Sequence, residues 1–318
     1  DIMVKMYNTD LKTNITEEVK EYKRGNWISM VSPSDEEIKN VCENTKISED
    51  FIRYALDPEE RARIDYEEDE DTTLVIVDVP TIEKSDDGRI YSTIPIGFII
   101  VRDDYFITVS LENNEIIKSM NPLKMRSLIT YKKSRLLLQF LYTSAEKYLN
   151  LLKIINRETE IAEQSLKETK KNKALLRLLS LEKSLVYFTT SLKANEVVME
   201  KIDRGKVVKL YEEDEDLIED VIIENRQAME MSKIYSDILS GTMDAYASVI
   251  SNNLNGVMKI LTSITIILAI PTMISSFWGM NVAVPMQQNP YGFIAIIVAS
   301  IVITIIVTMI LKKKDFLN

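Results

Sequence analysis

The chain has 318 residues, 46% hydrophobic and 28% charged, with 39 basic against 49 acidic residues and a net charge of −10. It has no histidine and one cysteine, Cys42, which excludes a Ser-His-Asp triad, a His-ligated metal, an internal disulfide and a cysteine-rich zinc or iron–sulfur centre. Its eight glycines do not cluster, so it has neither a G-x-G-x-x-G turn nor a P-loop, and Cys42 reads as a small buried apolar side chain.

In chain order, Ile2 to Tyr7 and Trp27 to Val31 read as short strands. Ser34 followed by Glu37 has capping-box spacing and predicts a helix start. The polar run Arg61 to Asp71 reads as a loop, or as an extended edge leading into a strand over Thr73 to Val79 that Pro80 closes. Asp86-Asp87-Gly88 reads as a hairpin turn, with strands Tyr91 to Val101 and Phe106 to Ser110 after it. From Asn113 to Arg204 apolar residues recur at helical spacing, notably Leu137, Leu141, Tyr148 and Leu152, then Leu178, Leu181, Leu185, Phe188 and Leu192. This predicts a long helical hairpin over 131–168 and 172–204. A third helix is predicted from about Asp216, after acids suited to a helix N-terminus. If it runs unbroken from Leu217 to Trp278, its 62 residues extend about 93 Å.

From Ile260 to Leu311, 52 consecutive residues include no Asp, Glu, Lys or Arg. A bilayer core takes about 20 apolar residues per helix, so the stretch holds two spans, Ile260 to Trp278 and Tyr291 to Leu311, and a link. The second span is almost wholly Ile, Val and Ala. The first carries hydroxyls, and Met258, Leu261, Thr265, Ala269, Thr272 and Ser276 fall near one helical stripe. That stripe reads either as close helix packing through small residues or as a wetted pore face. Lys259, Lys312, Lys313 and Lys314 flank the spans and the link has no Lys or Arg. The positive-inside rule therefore puts both ends in the cytoplasm. Residues 257–318 carry +3 and the first 256 carry −13; a domain that acidic repels nucleic acid and attracts cations.

The link opens with Gly279-Met280-Asn281 at the end of the first of two C-terminal spans. Upstream stand Asp237-Ile238-Leu239-Ser240-Gly241, Asp244, Tyr246, Ser251-Asn252, Asn255 and Val257-Met258-Lys259. In these residues the sequence resembles the CorA family of magnesium transporters, most specifically over 217–318. The resemblance implies a homopentamer. Each chain would have an α+β cytoplasmic domain layered as an αβα funnel, a long stalk helix and two C-terminal transmembrane helices in the cell membrane. The parts would be an α/β subdomain over 1–130, a hairpin over 131–210, a stalk and first span over 211–278, an external loop over 279–290, a second span over 291–311 and a basic tail over 312–318.

The resemblance further implies a function: divalent-cation transport, with Mg²⁺ entering through the central pore and Co²⁺ or Ni²⁺ as passengers, and with no enzymatic activity and no organic cofactor. Gly279, Met280 and Asn281 would form the selectivity site, with Asn281 holding Mg²⁺ through its hydration water. Asn255, Thr265, Ala269, Thr272 and Ser276 would line the pore, Met258 and Leu261 its constriction, and Asp244 an acidic ring. Cytoplasmic Mg²⁺ would close the pore at a sensor containing Asp220, with Glu219 and Glu224 as neighbouring candidates. The sequence departs from the family at two places. Tyr54 falls where the partner carboxylate is expected, with Asp57, Glu59 and Glu60 just after, and Val282 to Pro290 lacks the usual loop acid. The alternatives are a zinc transporter of the same superfamily and a membrane-anchored signalling or scaffold protein without transport.

Overall fold

The computed structural model describes residues 3–85, 88–102, 104–123, 125, 128–166, 171–205, 208–286 and 288–316. The chain divides into two compact units, 1–240 and 241–318.

The first unit is built on a seven-stranded sheet: β1 Met3–Thr9, β2 Thr16–Val19, β3 Asn26–Val31, β4 Arg63–Glu67, β5 Thr72–Ser85, β6 Gly88–Val101 and β7 Tyr105–Ser110. Their order is β2-β1-β3-β7-β6-β5-β4, antiparallel except for the β3–β7 pair. Side chains alternate between the two faces of a sheet, and here both faces are covered. Ile28, Met30, Leu74, Ile76, Ile99 and Ile107 pack on helices α1 Asp35–Thr45 and α2 Glu49–Ala55. Trp27, Val75, Val77, Phe98 and Phe106 pack on α3 Glu115–Ser119 and α4 Lys133–Leu166, with Phe140 at the centre of an aromatic cluster. The capping box is formed: Glu37 N–H donates to Ser34 Oγ (3.3 Å) and Ser34 N–H to Glu37 Oε2 (2.9 Å). Gly97 is where α2 seats on β6, since a Cβ there would lie 2.3 Å from that of Ala55.

Two elements differ from the sequence reading. β2 carries no strand signal, because Thr-Glu-Glu-Val is polar and lies at the sheet edge. Of the two readings of the run after Arg61, the extended edge is the one formed, as the opposite edge strand β4. And β5 does not close at Pro80 but continues to Ser85, pairing Pro80 with Thr93. The reason lies two residues earlier, where Asp78 N–H donates to Asn195 Oδ1 (2.9 Å), away from β6. Backbone directions alternate along a strand, so the Pro80 nitrogen also faces away from β6, where no ladder bond is lost. The strands meet with Ser85 opposite Gly88; Asp86 and Asp87 of the predicted turn lie outside the described residues.

The helical hairpin is α4 and α5 Lys171–Asp203. A 3-10 turn, Glu212–Asp214, leads into α6 Glu215–Trp278. Within the first unit α6 lies along α5: Asn225 Nδ2 donates to Leu192 O (3.0 Å), Ser232 Oγ to Leu185 O (3.0 Å) and Ser240 Oγ to Glu182 (2.7 Å). The acidic run 212–216 ahead of α6 is partly structural. Asp214 is 1% exposed and held by Arg135 (3.2 Å), and Glu213 pairs with Lys132 (2.7 Å).

The second unit contains the rest of α6, with Pro271 inside the helix, and α7 Gly292–Lys313. Both helices are long and apolar enough to cross a membrane. The chain just after α7 touches α6: Ser263 Oγ, 2.8 Å from Lys259 O in its own helix, also lies 3.0 Å from Phe316 O, and the Lys259 ammonium lies 5.9 Å from the Phe316 ring centre.

Candidate functional site

Large apolar side chains on α6 and α7 lie open, Leu268 and Met309 at 66% and Phe293 at 74% exposure. So extensive an apolar surface needs lipid or protein to cover it. On α6 several of the polar residues that interrupt it share one face. Thr265, Ala269, Thr272, Ser276 and Met280 share a concave face of about 790 Å³ with apolar neighbours such as Leu268. The spacing of four, three and four residues keeps one side of a 3.6-residue helix. Thr265 donates its hydroxyl proton to Leu261 O (2.9 Å) and Thr272 to Leu268 O (3.0 Å). With their protons turned into the helix, these hydroxyls present lone pairs outward. A hydrated cation points hydrogens outward, so acceptors are what such a face needs.

Met258, Leu261 and Asn255 continue α6 below this hollow and are exposed, as is Asp244. At the upper end Gly279 N–H closes the last turn on Ser275 O (2.9 Å), leaving Met280 and the exposed Asn281 just beyond the helix. The link that follows is folded on itself. Met286 has a left-handed backbone (φ 65°), Asn289 N–H donates to Met286 O (3.0 Å) and Gly292 N–H to Asn289 O (2.9 Å). A Cβ at Gly292 would lie 2.8 Å from Met286 O, so the turn admits no side chain there.

The acids expected at a sensor do not all meet. Asp220 and Glu224, one turn apart on α6, approach Tyr142 on α4. There Glu146 first, then burial, then Glu224 and Asp220 raise the phenol above its ordinary value. Glu219 instead lines a separate hollow with Tyr66 and Arg226. Tyr54 lies under the Arg63 guanidinium (4.8 Å), Asp57 accepts from Glu59 N–H (2.9 Å) and Glu60 pairs with Arg63 (3.3 Å). Among the described residues no three Cys, Asp or Glu side chains converge as a metal site. Cys42 is half-buried, and burial first, then Glu49 and Glu70, push its thiol up to about 11, which keeps it an unreactive thiol. The signal missed in the sequence was the direction of the hydroxyl protons, which spacing does not carry.

The family model described as CorA-like Mg²⁺ transporter protein matches residues 22–313. A cobalt/magnesium transport protein CorA of Methanocaldococcus jannaschii is 30% identical over 301 residues, covering 92% of this chain and 91% of that protein. A protein of the same description from Thermotoga maritima is 28% identical over 194 residues, 60% of this chain and 55% of the relative. The complete structure of the CorA magnesium transporter from Methanocaldococcus jannaschii superposes with a TM-score of 0.82 at 27% identity, covering 98% and 97% of the two chains. The ZntB cytoplasmic domain from Vibrio parahaemolyticus, 11% identical with a TM-score of 0.59 over 80% of this chain and 98% of that one, shares the fold of the α/β domain. An α/β domain with helices on both faces of its sheet, one long helix and two apolar C-terminal helices, matched nearly end to end, place this chain in the CorA-like Mg²⁺ transporter family.

Proposed function

We propose that five copies of this chain form a membrane pore for Mg²⁺, each contributing the polar stripe of α6 to its wall and Gly279-Met280-Asn281 to its outer mouth. The observation that carries this reading is the pair of hydroxyls, Thr265 and Thr272, that turn their oxygens outward on one face of the apolar part of α6, just before that tripeptide. Mg²⁺ gives up its water reluctantly. A ring of Asn281 amides can accept hydrogen bonds from the ion's bound waters without stripping them, and weak multi-site binding lets the ion leave. Met258 and Leu261 form the constriction, which shuts by dewetting, and Asp244 draws cations at its inner end. Both chain ends are cytoplasmic, as the lysines predict.

Entry needs no fuel. Two charges crossing 100 mV gain about 4.6 kcal/mol, enough for accumulation by roughly three orders of magnitude. Such a pore needs a brake, and Asp220 supplies it by holding cytoplasmic Mg²⁺ against a neighbouring copy, with Glu224 on the same side of α6 and Glu219 on the hollow beside Arg226 as the neighbouring candidates. Co²⁺ and Ni²⁺ pass as similarly sized hydrated ions.

The test is voltage-driven Mg²⁺ entry into proteoliposomes, wild type beside Asn281→Ala. Entry lost in an assembled mutant is the expected result. Equal entry in both would sink the pore-mouth assignment. Entry of Zn²⁺ but not Mg²⁺ would move the chain to the zinc branch, and no entry of any ion would leave a non-transporting membrane protein.

A further inference from the structure

The sheet face that carries Trp27 is roofed at its β1–β3 end by α3 and the residues beside it, and between floor and roof lies a cavity of about 230 Å³. Lys5 and Tyr7 of β1 stand opposite Ser29 and Trp27 of β3 on the floor, while Asn113 and Lys118 belong to the roof. Two lining residues are lysines and none is Asp or Glu, in a chain whose acids outnumber its bases 49 to 39. Neighbouring acids are engaged or lie outside: Glu115 pairs with Lys147, Glu112 accepts from Thr81 (3.0 Å), and the exposed Glu18 is opposite Tyr7 on β2, beyond the lining.

The groups around this space are mainly donors. Ammonium groups accept no hydrogen bond, and burial first, then Glu18, holds the Tyr7 phenol above its ordinary value, so it keeps its proton. Neither lysine, nor the Tyr7 and Ser29 hydroxyls, nor the Asn113 amide has a hydrogen bond or ion pair among the described residues. Ser29 is 6% exposed and Tyr7 9%, but neither hydroxyl is among the buried side-chain atoms without a partner, so both open onto the cavity. Polar groups that open onto such a space are met by water or by a ligand. The space equals about seven or eight waters, which limits an occupant to about ten non-hydrogen atoms. Its two lysines come from opposite walls, the half-buried Lys5 from the floor and the exposed Lys118 from the roof, with apolar Val31 and Met120 also in the lining.

We infer that this cavity binds a small organic dianion, a short-chain dicarboxylate, whose two carboxylates meet Lys5 from the floor and Lys118 from the roof while the Tyr7 and Ser29 hydroxyls hold its oxygens. The site is independent of the ion pathway, and binding is read without flux.

The chain has two tryptophans, Trp27 and Trp278, and Trp27 lines the cavity. In the full chain carrying Trp278→Phe, Trp27 is therefore the sole indole reporter. Succinate would be titrated against sodium chloride at matched ionic strength, with inorganic phosphate as a second probe. The expected result is a saturable change in emission with succinate. Affinity should fall at least tenfold in Lys5→Gln and in Lys118→Gln, and stay unchanged in Lys20→Gln, which lies outside the cavity. Thermal unfolding would confirm that each variant is folded. No saturable change, or binding that survives both lysine variants, would overturn the proposal. Binding of phosphate but not succinate would overturn the two-wall argument for a dicarboxylate.

Discussion

At Asp78 the ladder of the sheet is completed by a side chain. β4 pairs β5 only as far as Ile76. Beyond it, Asn195 of α5 accepts from Asp78 N–H (2.9 Å) and donates Nδ2–H to Asp78 O (2.7 Å), as a neighbouring strand would. Tyr148 OH donates to the same carbonyl (2.9 Å). Asn195→Ala should cost about 1–3 kcal/mol, measured by thermal unfolding. Asn195→Asp should cost more, because its carboxylate would face the Asp78 carbonyl with no donor to offer. The Asp78 carboxyl itself is held above the usual value by burial, opposed by a hydrogen bond from Ser191. A carboxyl raised in the folded state binds more protons there than in the unfolded chain. Stability is therefore lost as pH climbs from about 3.9, the unfolded value, through the folded one. Asp78→Asn removes that loss. The variant should melt higher than wild type at pH 7, with the difference shrinking as pH falls toward about 4; a constant difference would deny the linkage.

Among the elements, length and periodicity decide what the sequence shows. α4, α5 and α6 were legible because dozens of residues repeat one helical pattern, and α7 because its apolar run has no other stable home than lipid or a protein interior. α1 was legible from two residues, Ser34 and Glu37. By contrast α3 is five residues capped by Asn114, too short for any period, and so the cavity it roofs was invisible. The seating of α2 was equally hidden, since it depends on one missing Cβ. Gly97→Val should push α2 off β6 and destabilise the unit by about 1–3 kcal/mol or more, visible in denaturant midpoints. Of the candidate site, the stripe on α6 was legible as spacing and Gly279-Met280-Asn281 as a motif. What spacing did not separate is the surroundings of two adjacent acids: Glu219 lines the hollow with Arg226, whereas Asp220 lies near Tyr142.

For the whole molecule, the proposed pore requires neighbouring copies and lipid to cover the exposed surface of both apolar helices. Native mass spectrometry in detergent should find five chains; a stable monomer that transports would refute the shared pore. Asp220→Ala should raise Mg²⁺ entry at millimolar internal Mg²⁺, and an unchanged dependence would place the brake elsewhere. The Asn195 contact also bears on how the chain is made. Asp78 and Asn195 are 117 residues apart, so while the chain emerges from the ribosome the outer edge of β5 beyond β4 stays open until α5 has been synthesised and docked. An open strand edge is a template for pairing with another chain. Slow elongation between the codons for residues 85 and 195 should therefore send nascent chains toward aggregates, whereas delays after residue 203 should not.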